Sequence, residues 1–97
     1  MPTPPPPFRL RATSAAERDM RTLIRKTPAL ADLLARGFDV LRADPYNRSG
    51  AYQIRTLTAK APGFGRWRLR LGAYRLRYDI VGQDVVLYSL AHRKDAY

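Results

Sequence analysis

The segment Arg66-Trp67-Arg68-Leu69-Arg70-Leu71-Gly72-Ala73-Tyr74-Arg75-Leu76-Arg77-Tyr78-Asp79-Ile80 holds the residues best suited to chemistry. Arginines alternate with apolar side chains on both sides of Gly72-Ala73. Side chains of a strand point to opposite faces in turn. Read as a hairpin with a two-residue turn, the segment puts Trp67, Leu69, Leu71, Tyr74, Leu76, Tyr78 and Ile80 on one face. Arg66, Arg68, Arg70, Arg75, Arg77 and Asp79 take the other. Leu71 then faces Tyr74, so Arg70 meets Arg75, Arg68 meets Arg77 and Arg66 meets Asp79. Directly opposed like charges weaken a ladder by roughly a few tenths of a kcal/mol each, and selection for stability alone would avoid them. The pattern fits a concave or flat phosphate-binding sheet, because a guanidinium grips phosphate with two parallel hydrogen bonds. Trp67, Tyr74 and Tyr78 carry rings that stack on bases, but alternation assigns them to the core.

The chain ends His92-Arg93-Lys94-Asp95-Ala96-Tyr97. Imidazole, titrating near about 6.5, suits acid–base work at neutral pH. A tyrosine ordinarily titrates near about 10 and needs neighbouring cations to act as a base. Alternation sends His92 and Arg93 to opposite faces. Asp95 is expected to anchor the tail by pairing with an arginine.

The elements that must position these groups are legible from pattern. Phe8-Arg9-Leu10-Arg11-Ala12 alternates as a half-buried strand does. Ser14 with Glu17 reads as a capping box at a helix start, and Ala16, Met20, Leu23 and Ile24 follow on one helical face. Thr27-Pro28 reads as the cap and first position of a second helix, with Leu30, Leu33, Leu34, Phe38 and Leu41 on one stripe. Gly37 lies on that stripe where the helix approaches a sheet, and Asp44-Pro45 ends it. Strands are expected over 52–59, 66–71, 74–81 and 85–91, with turns at Gly72-Ala73 and Gly82-Gln83-Asp84 and a break at Ala61-Pro62-Gly63. The predicted fold class is α+β: an N-terminal strand, a helical hairpin, then a mainly antiparallel sheet of three to four strands with both helices on one face. Residues 1–7 read as a Pro-rich disordered leader and residues 8–97 as one domain.

Composition narrows the function. The 97 residues include 18 Lys+Arg against 8 Asp+Glu, a net charge of +10 that calls for a polyanionic partner. The C-terminal half carries most of it: residues 48–97 hold 10 basic and 3 acidic side chains, residues 1–47 hold 8 and 5. With no Cys and one His, disulfide staples, thiolate metal sites and poly-His sites are excluded, and a reducing cytoplasm fits. No apolar run is long enough to span a membrane.

The order of elements, the run Gly72-x-Tyr74-Arg75-Leu76-x-Tyr78 and the ending His92-Arg93-x-x-x-Tyr97 resemble the RelE/ParE toxin superfamily of bacterial type II toxin–antitoxin systems, over about residues 8–97. The resemblance implies a small cytoplasmic toxin bound by a cognate antitoxin protein in a hetero-oligomer. RelE-like members enter the ribosomal A site and cleave mRNA without metal or other cofactor. ParE-like members poison DNA gyrase on the same fold. The basic and aromatic tail, with Arg93 and Tyr97, favours the RelE-like endoribonuclease. Arg75 and Arg93 match two family arginines at the scissile phosphate, and Tyr97 matches a tyrosine proposed as general base, with His92 the rival. Arg68 and Arg70 stand where RelE has two lysines, which keeps the charge but removes proton exchange, since arginine stays protonated. Arg66 and Arg77 complete the expected phosphate-binding set. The alternatives are the gyrase inhibitor, a non-catalytic nucleic-acid-binding module and an inactive relic.

Overall fold

The computed structural model describes residues 7–57 and 65–95. The chain folds as β1 (Arg9–Ala12), α1 (Ser14–Lys26), α2 (Leu30–Ala43), β2 (Ile54–Thr56), β3 (Trp67–Leu71), β4 (Tyr74–Val81) and β5 (Asp84–His92). The five strands form one sheet in the order β1-β5-β4-β3-β2. β1 runs parallel to β5, and the other neighbours are antiparallel. These are the five strands expected from sequence, with the N-terminal one joined to the edge of the sheet beside β5. The Pro-rich leader up to residue 6, the C-terminal end of the expected 52–59 strand, the Ala61-Pro62-Gly63 break and Tyr97 lie outside the described residues. No described helix is long and apolar enough to cross a membrane.

Both helices cover one face of the sheet, and the core lies between. Ala16, Leu30, Leu34 and Leu41 pack with Leu69, Leu71, Leu76, Tyr78, Val85, Leu87 and Leu90. The apolar stripes expected for the two helices all reach this cluster, since Met20, Leu23, Ile24, Leu33 and Phe38 pack against it. At Gly37 α2 lies close against the sheet. A Cβ there would stand 2.9 Å from one methyl of Leu71 and 3.1 Å from the other. Tyr78, wholly buried, stacks on Trp67 with ring centroids 6.3 Å apart and donates its hydroxyl to the carbonyl of Pro45 at 2.7 Å. A buried phenol needs such an acceptor.

Two helix starts differ from expectation. Thr13, not Ser14, caps α1: its hydroxyl accepts from the amide of Ala16 at 3.1 Å. The reason is that Thr13 is extended, as a cap must be, while Ser14 is already helical. Thr27 closes α1 rather than capping α2, whose preceding residue Ala29 makes no side-chain cap. The chain turns tightly instead, with Leu30 N–H donating to Thr27 C=O at 3.0 Å and Ala31 N–H to Pro28 C=O at 3.1 Å. Backbone bonds thereby replace the missing side-chain acceptor.

At the other end of α2 the carboxylate of Asp44 organises the loop. It accepts from the amides of Arg48 (2.9 Å) and Ser49 (3.2 Å) and from the Ser49 hydroxyl (2.7 Å). The Ser49 hydroxyl is the largest cause that holds the Asp44 pKa below its ordinary value of 3.8; the amides and the Arg48 charge add to it against a partial desolvation. A carboxylate with a depressed folded pKa contributes stability above its unfolded value and loses it as pH falls through the folded one. Urea unfolding of Asp44→Ala should therefore show lower stability than the parent at neutral pH. The gap should narrow as pH falls below 3.8, and an unchanged gap in acid would contradict the assignment.

Candidate functional site

The turn at Gly72-Ala73 sets the site. Gly72 takes φ +59, a conformation that glycine adopts without Cβ strain. Across it Leu71 pairs with Tyr74, Leu69 with Leu76, Trp67 with Tyr78, Arg70 with Arg75 and Arg68 with Arg77, the register expected from sequence. β2 adds a strand beyond the hairpin, pairing Ile54 with Leu69 and Arg55 with Arg68. Ile54 packs against the core, so alternation puts Arg55 with the arginines. The solvent face of the sheet therefore carries Arg55, Arg68 and Arg77 in one row across three strands, with Arg70 and Arg75 in the next.

Arg55, Arg68, Arg70 and Arg75 line a groove of about 510 Å³ together with Tyr52, Gln53 and Ile54. Arg75 is its most enclosed member, with 9% of its surface exposed. One terminal nitrogen donates to the carbonyls of Gly72 and Tyr74, both at 3.0 Å. These bonds lay the guanidinium along the turn. Its Nε is buried with no hydrogen-bond partner among the described residues. A buried donor without an acceptor is destabilising by about 1–3 kcal/mol. Desolvation lowers the pKa of Arg75, and the charges of Arg70, Arg68 and Arg93 lower it further. Arg68 is lowered for the same reasons, by burial first and then by Arg55 and Arg70. Arginine still keeps its proton at neutral pH, so these shifts register crowding of positive charge. An anion in the groove would relieve that crowding.

The other expected site residues are distributed unevenly. The Nε of Arg77 donates to the carbonyl of Gly65 at 3.1 Å, which ties down the chain entering β3. The buried carboxylate of Asp79 accepts from the amides of Gly65 (3.1 Å) and Arg66 (2.7 Å). Arg66 thus meets Asp79 through its backbone amide, and its side chain is solvent-exposed. Arg93 lies at the end of β5, its amide donating to Ala73 C=O at 2.6 Å, and its charge acts on Arg75. His92 pairs with Tyr74, whose ring meets the imidazole edge-on at 5.4 Å. The imidazole lines a cleft of about 300 Å³ against α1, with Arg18, Asp19, Thr22 and Leu23. The sheet therefore separates His92 from the arginine groove. Tyr78 is excluded as a base, because burial pushes its phenol well above the ordinary 10. Asp95 does not anchor the tail to an arginine. Among the described residues it makes no ion pair; its amide donates to His92 C=O at 2.8 Å in a local turn.

A β-bulge decides which tail residue reaches the groove. Arg77 pairs with Ser89 but Tyr78 pairs with Leu87, so Tyr88 is an extra residue on β5. Uninterrupted alternation from buried Val85 would bring Ser89, Ala91 and Arg93 to the core face and His92 to the arginine face. The extra residue inverts that phase: Leu90 enters the core, Ala91 pairs with Arg75, and Arg93 follows on the groove side. The cap and the first turns of α1 satisfy the backbone groups at the bulge. Thr13 N–H donates to Leu87 C=O at 3.0 Å and its hydroxyl to Tyr88 C=O at 3.4 Å. Asp19 accepts from Leu90 N–H at 3.2 Å.

Sequence reasoning named Arg68, Arg70 and Arg75 and missed Tyr52, Gln53 and Arg55 as members of the groove. The signal for Arg55 was its place next to Ile54, once Ile54 is known to face inward. Nothing local to Tyr88 announces the bulge.

The model of the ParE toxin of the type II toxin–antitoxin system parDE matches residues 10–97. The chain belongs to the ParE toxin family. Among solved structures, the toxin resembles a chain of the toxin–antitoxin complex RelBE2 from Mycobacterium tuberculosis. They share 28% identity and a TM-score of 0.66, over 90% of this chain and 99% of that one. It also shares its fold with a chain of the archaeal RelE–RelB complex from Pyrococcus horikoshii, at 19% identity and TM-score 0.68, over 93% and 99%. The comparison with curated proteins found no match. The toxin is thus a member of the RelE/ParE superfamily with the α+β fold expected of it.

The bulge generates a test. Asp19→Ala should destabilise the toxin by about 1–2 kcal/mol, the effect of an amide left without its acceptor. Hydrogen exchange at the Leu90 amide should accelerate locally, and Asp19→Asn, which keeps an acceptor oxygen, should restore most of the protection. Unaltered exchange at Leu90 in Asp19→Ala would refute the role of Asp19.

Proposed function

We propose that this toxin is a ribosome-dependent mRNA endonuclease, held inactive by a cognate antitoxin. The observation that supports the reading is Arg75: enclosed, crowded by Arg68, Arg70 and Arg93, and carrying a buried donor without a partner among the described residues. A phosphodiester passing to a pentacoordinate transition state gains negative charge on its non-bridging oxygens. Preorganised cations aimed at that charge are the largest usual source of catalysis.

The reaction uses the RNA's own 2′-hydroxyl. A base takes its proton, the 2′-oxygen forms a bond to phosphorus, and the bond from phosphorus to the 5′-oxygen breaks. An acid returns a proton to that leaving oxygen. The products are a 2′,3′-cyclic phosphate and a 5′-hydroxyl, with no change of oxidation state. Arg75 and Arg93 serve as phosphate contacts, and Arg68, Arg70 and Arg55 supply the surrounding field. Arginine cannot be the base. With His92 on the helix side of the sheet, this reading assigns the base to Tyr97, whose phenol the arginines would make more acidic. The ribosome supplies the orientation of the strand, so naked RNA should be cut poorly. An antitoxin with acidic side chains complements the net charge of +10.

A second reading has its own support: the matched family model is the ParE toxin, and ParE-like members inhibit DNA gyrase. Inhibition of gyrase supercoiling with no mRNA cuts would favour it.

Induction in a bacterial host, followed by mapping of mRNA 5′ ends against codon position, tests the proposal. Wild type should give cuts in register with codons. Arg75→Ala and Tyr97→Phe should each reduce them by about a hundredfold or more, the usual effect of losing a transition-state donor or a general base. His92→Ala should still cut. Retained cutting by the first two variants would contradict the assignment, and loss in His92→Ala would return the base to that residue.

A further inference from the structure

Among the described residues, Tyr52 and Tyr46 are the large exposed aromatics, with comparable accessibility, 38% and 39%. Tyr46 is engaged: its ring meets Phe8 edge-on at 6.1 Å and Trp67 at 5.6 Å, and Arg48 sits over it at 5.1 Å. The ring of Tyr52 makes no such contact among the described residues, and it is not part of the packed core. It instead lines the arginine groove beside Arg55, Arg70 and Arg75, and it lines a neighbouring cleft of about 420 Å³ beside α2.

Its backbone is nevertheless held firmly. The side chain of Asn47 accepts from Tyr52 N–H at 3.1 Å and donates to Tyr52 C=O at 2.9 Å. Asn47 adopts φ +53 to do so, a conformation that asparagine tolerates better than most residues. Asp44 fixes the same loop from the other side through Arg48 and Ser49. An exposed ring on an anchored backbone, at the rim of a cationic groove, pairs a flat apolar face with a phosphate site. A nucleotide offers the same two features. A base in a duplex has both faces stacked, whereas an unpaired base has a face free.

We propose that Tyr52 is the base platform of the groove, so that the site takes an unpaired RNA nucleotide with its phosphate on Arg70 and Arg75 and its base on the Tyr52 ring. The inference rests on the phosphate reading of the groove, but not on cleavage. It makes Tyr52 a selector for single-stranded substrate, and the Asn47 clamp its positioning device.

The test is fluorescence polarisation with the full-length toxin and two short labelled strands. One is a mixed-sequence 2′-O-methyl RNA, which lacks the attacking hydroxyl; the other is an abasic strand of equal length and charge. Stacking on an aromatic is worth about 1–3 kcal/mol per base. Tyr52→Ala should therefore bind the base-bearing strand about tenfold or more weakly while its affinity for the abasic strand stays within about twofold. Tyr52→Phe, which keeps the ring, should restore the preference for bases. Equal losses on both strands would mean that Tyr52 only props the groove, and no loss on either would mean that it does not touch the strand; both overturn the proposal. Arg75→Ala, measured on the abasic strand, keeps the two readings apart: undiminished binding there would refute the phosphate site itself.

Discussion

Leu71 opposite Tyr74 is the pairing that assigns faces to the C-terminal half of the chain. One residue of slip would move every side chain of the hairpin to the other face, so the register is pinned from two directions. The turn at Gly72 permits it, and the burial of Leu69, Leu71, Leu76 and Tyr78 under the helices enforces it. The same pairing has an unfavourable consequence on the solvent side. It opposes Arg70 to Arg75 and Arg68 to Arg77, and β2 brings Arg55 against Arg68. Each opposed pair weakens the ladder by roughly a few tenths of a kcal/mol. The apolar face is thus stabilised while the cationic face is strained, and the strain falls where an anion would relieve it.

The second constraint is the bulge at Tyr88. A sheet with unbroken alternation would present His92 to the arginines and turn Arg93 toward the core. One extra residue exchanges them, and the N-terminal elements hold it through Thr13 and Asp19. The first elements of the chain therefore govern the placement of its tail. This explains why a helix and its cap, with no residue in the groove, matter to the groove's composition. It also sets His92, one of the two candidate bases, on the face away from the groove.

The hairpin was legible because strand alternation and a two-residue turn leave a single register that buries all the apolar side chains. The helices were legible from their stripes, although their starts were not. Capping depends on backbone conformation at Thr13 and Ala29, and residue type at Ser14 and Thr27 pointed one position or one role away. The groove was half legible. Arg68, Arg70 and Arg75 follow from the hairpin alone. Arg55 and Tyr52 enter it through pairing of β2 with β3 and through the Asn47 clamp, contacts with no local periodicity. The bulge was illegible because its partners, Thr13 and Asp19, lie far from Tyr88 in sequence.

If the arginines are gathered for an anion at the expense of the free protein's stability, that cost centres on Arg70, next to Arg68 and opposite Arg75. Urea unfolding of Arg70→Thr beside wild type, at low and high salt, addresses it most directly. The variant should be more stable than wild type by roughly a few tenths of a kcal/mol at low salt, with the difference fading as salt screens the charges. A variant less stable than wild type at low salt would show instead that Arg70 supports the fold and that the cationic face carries no such strain.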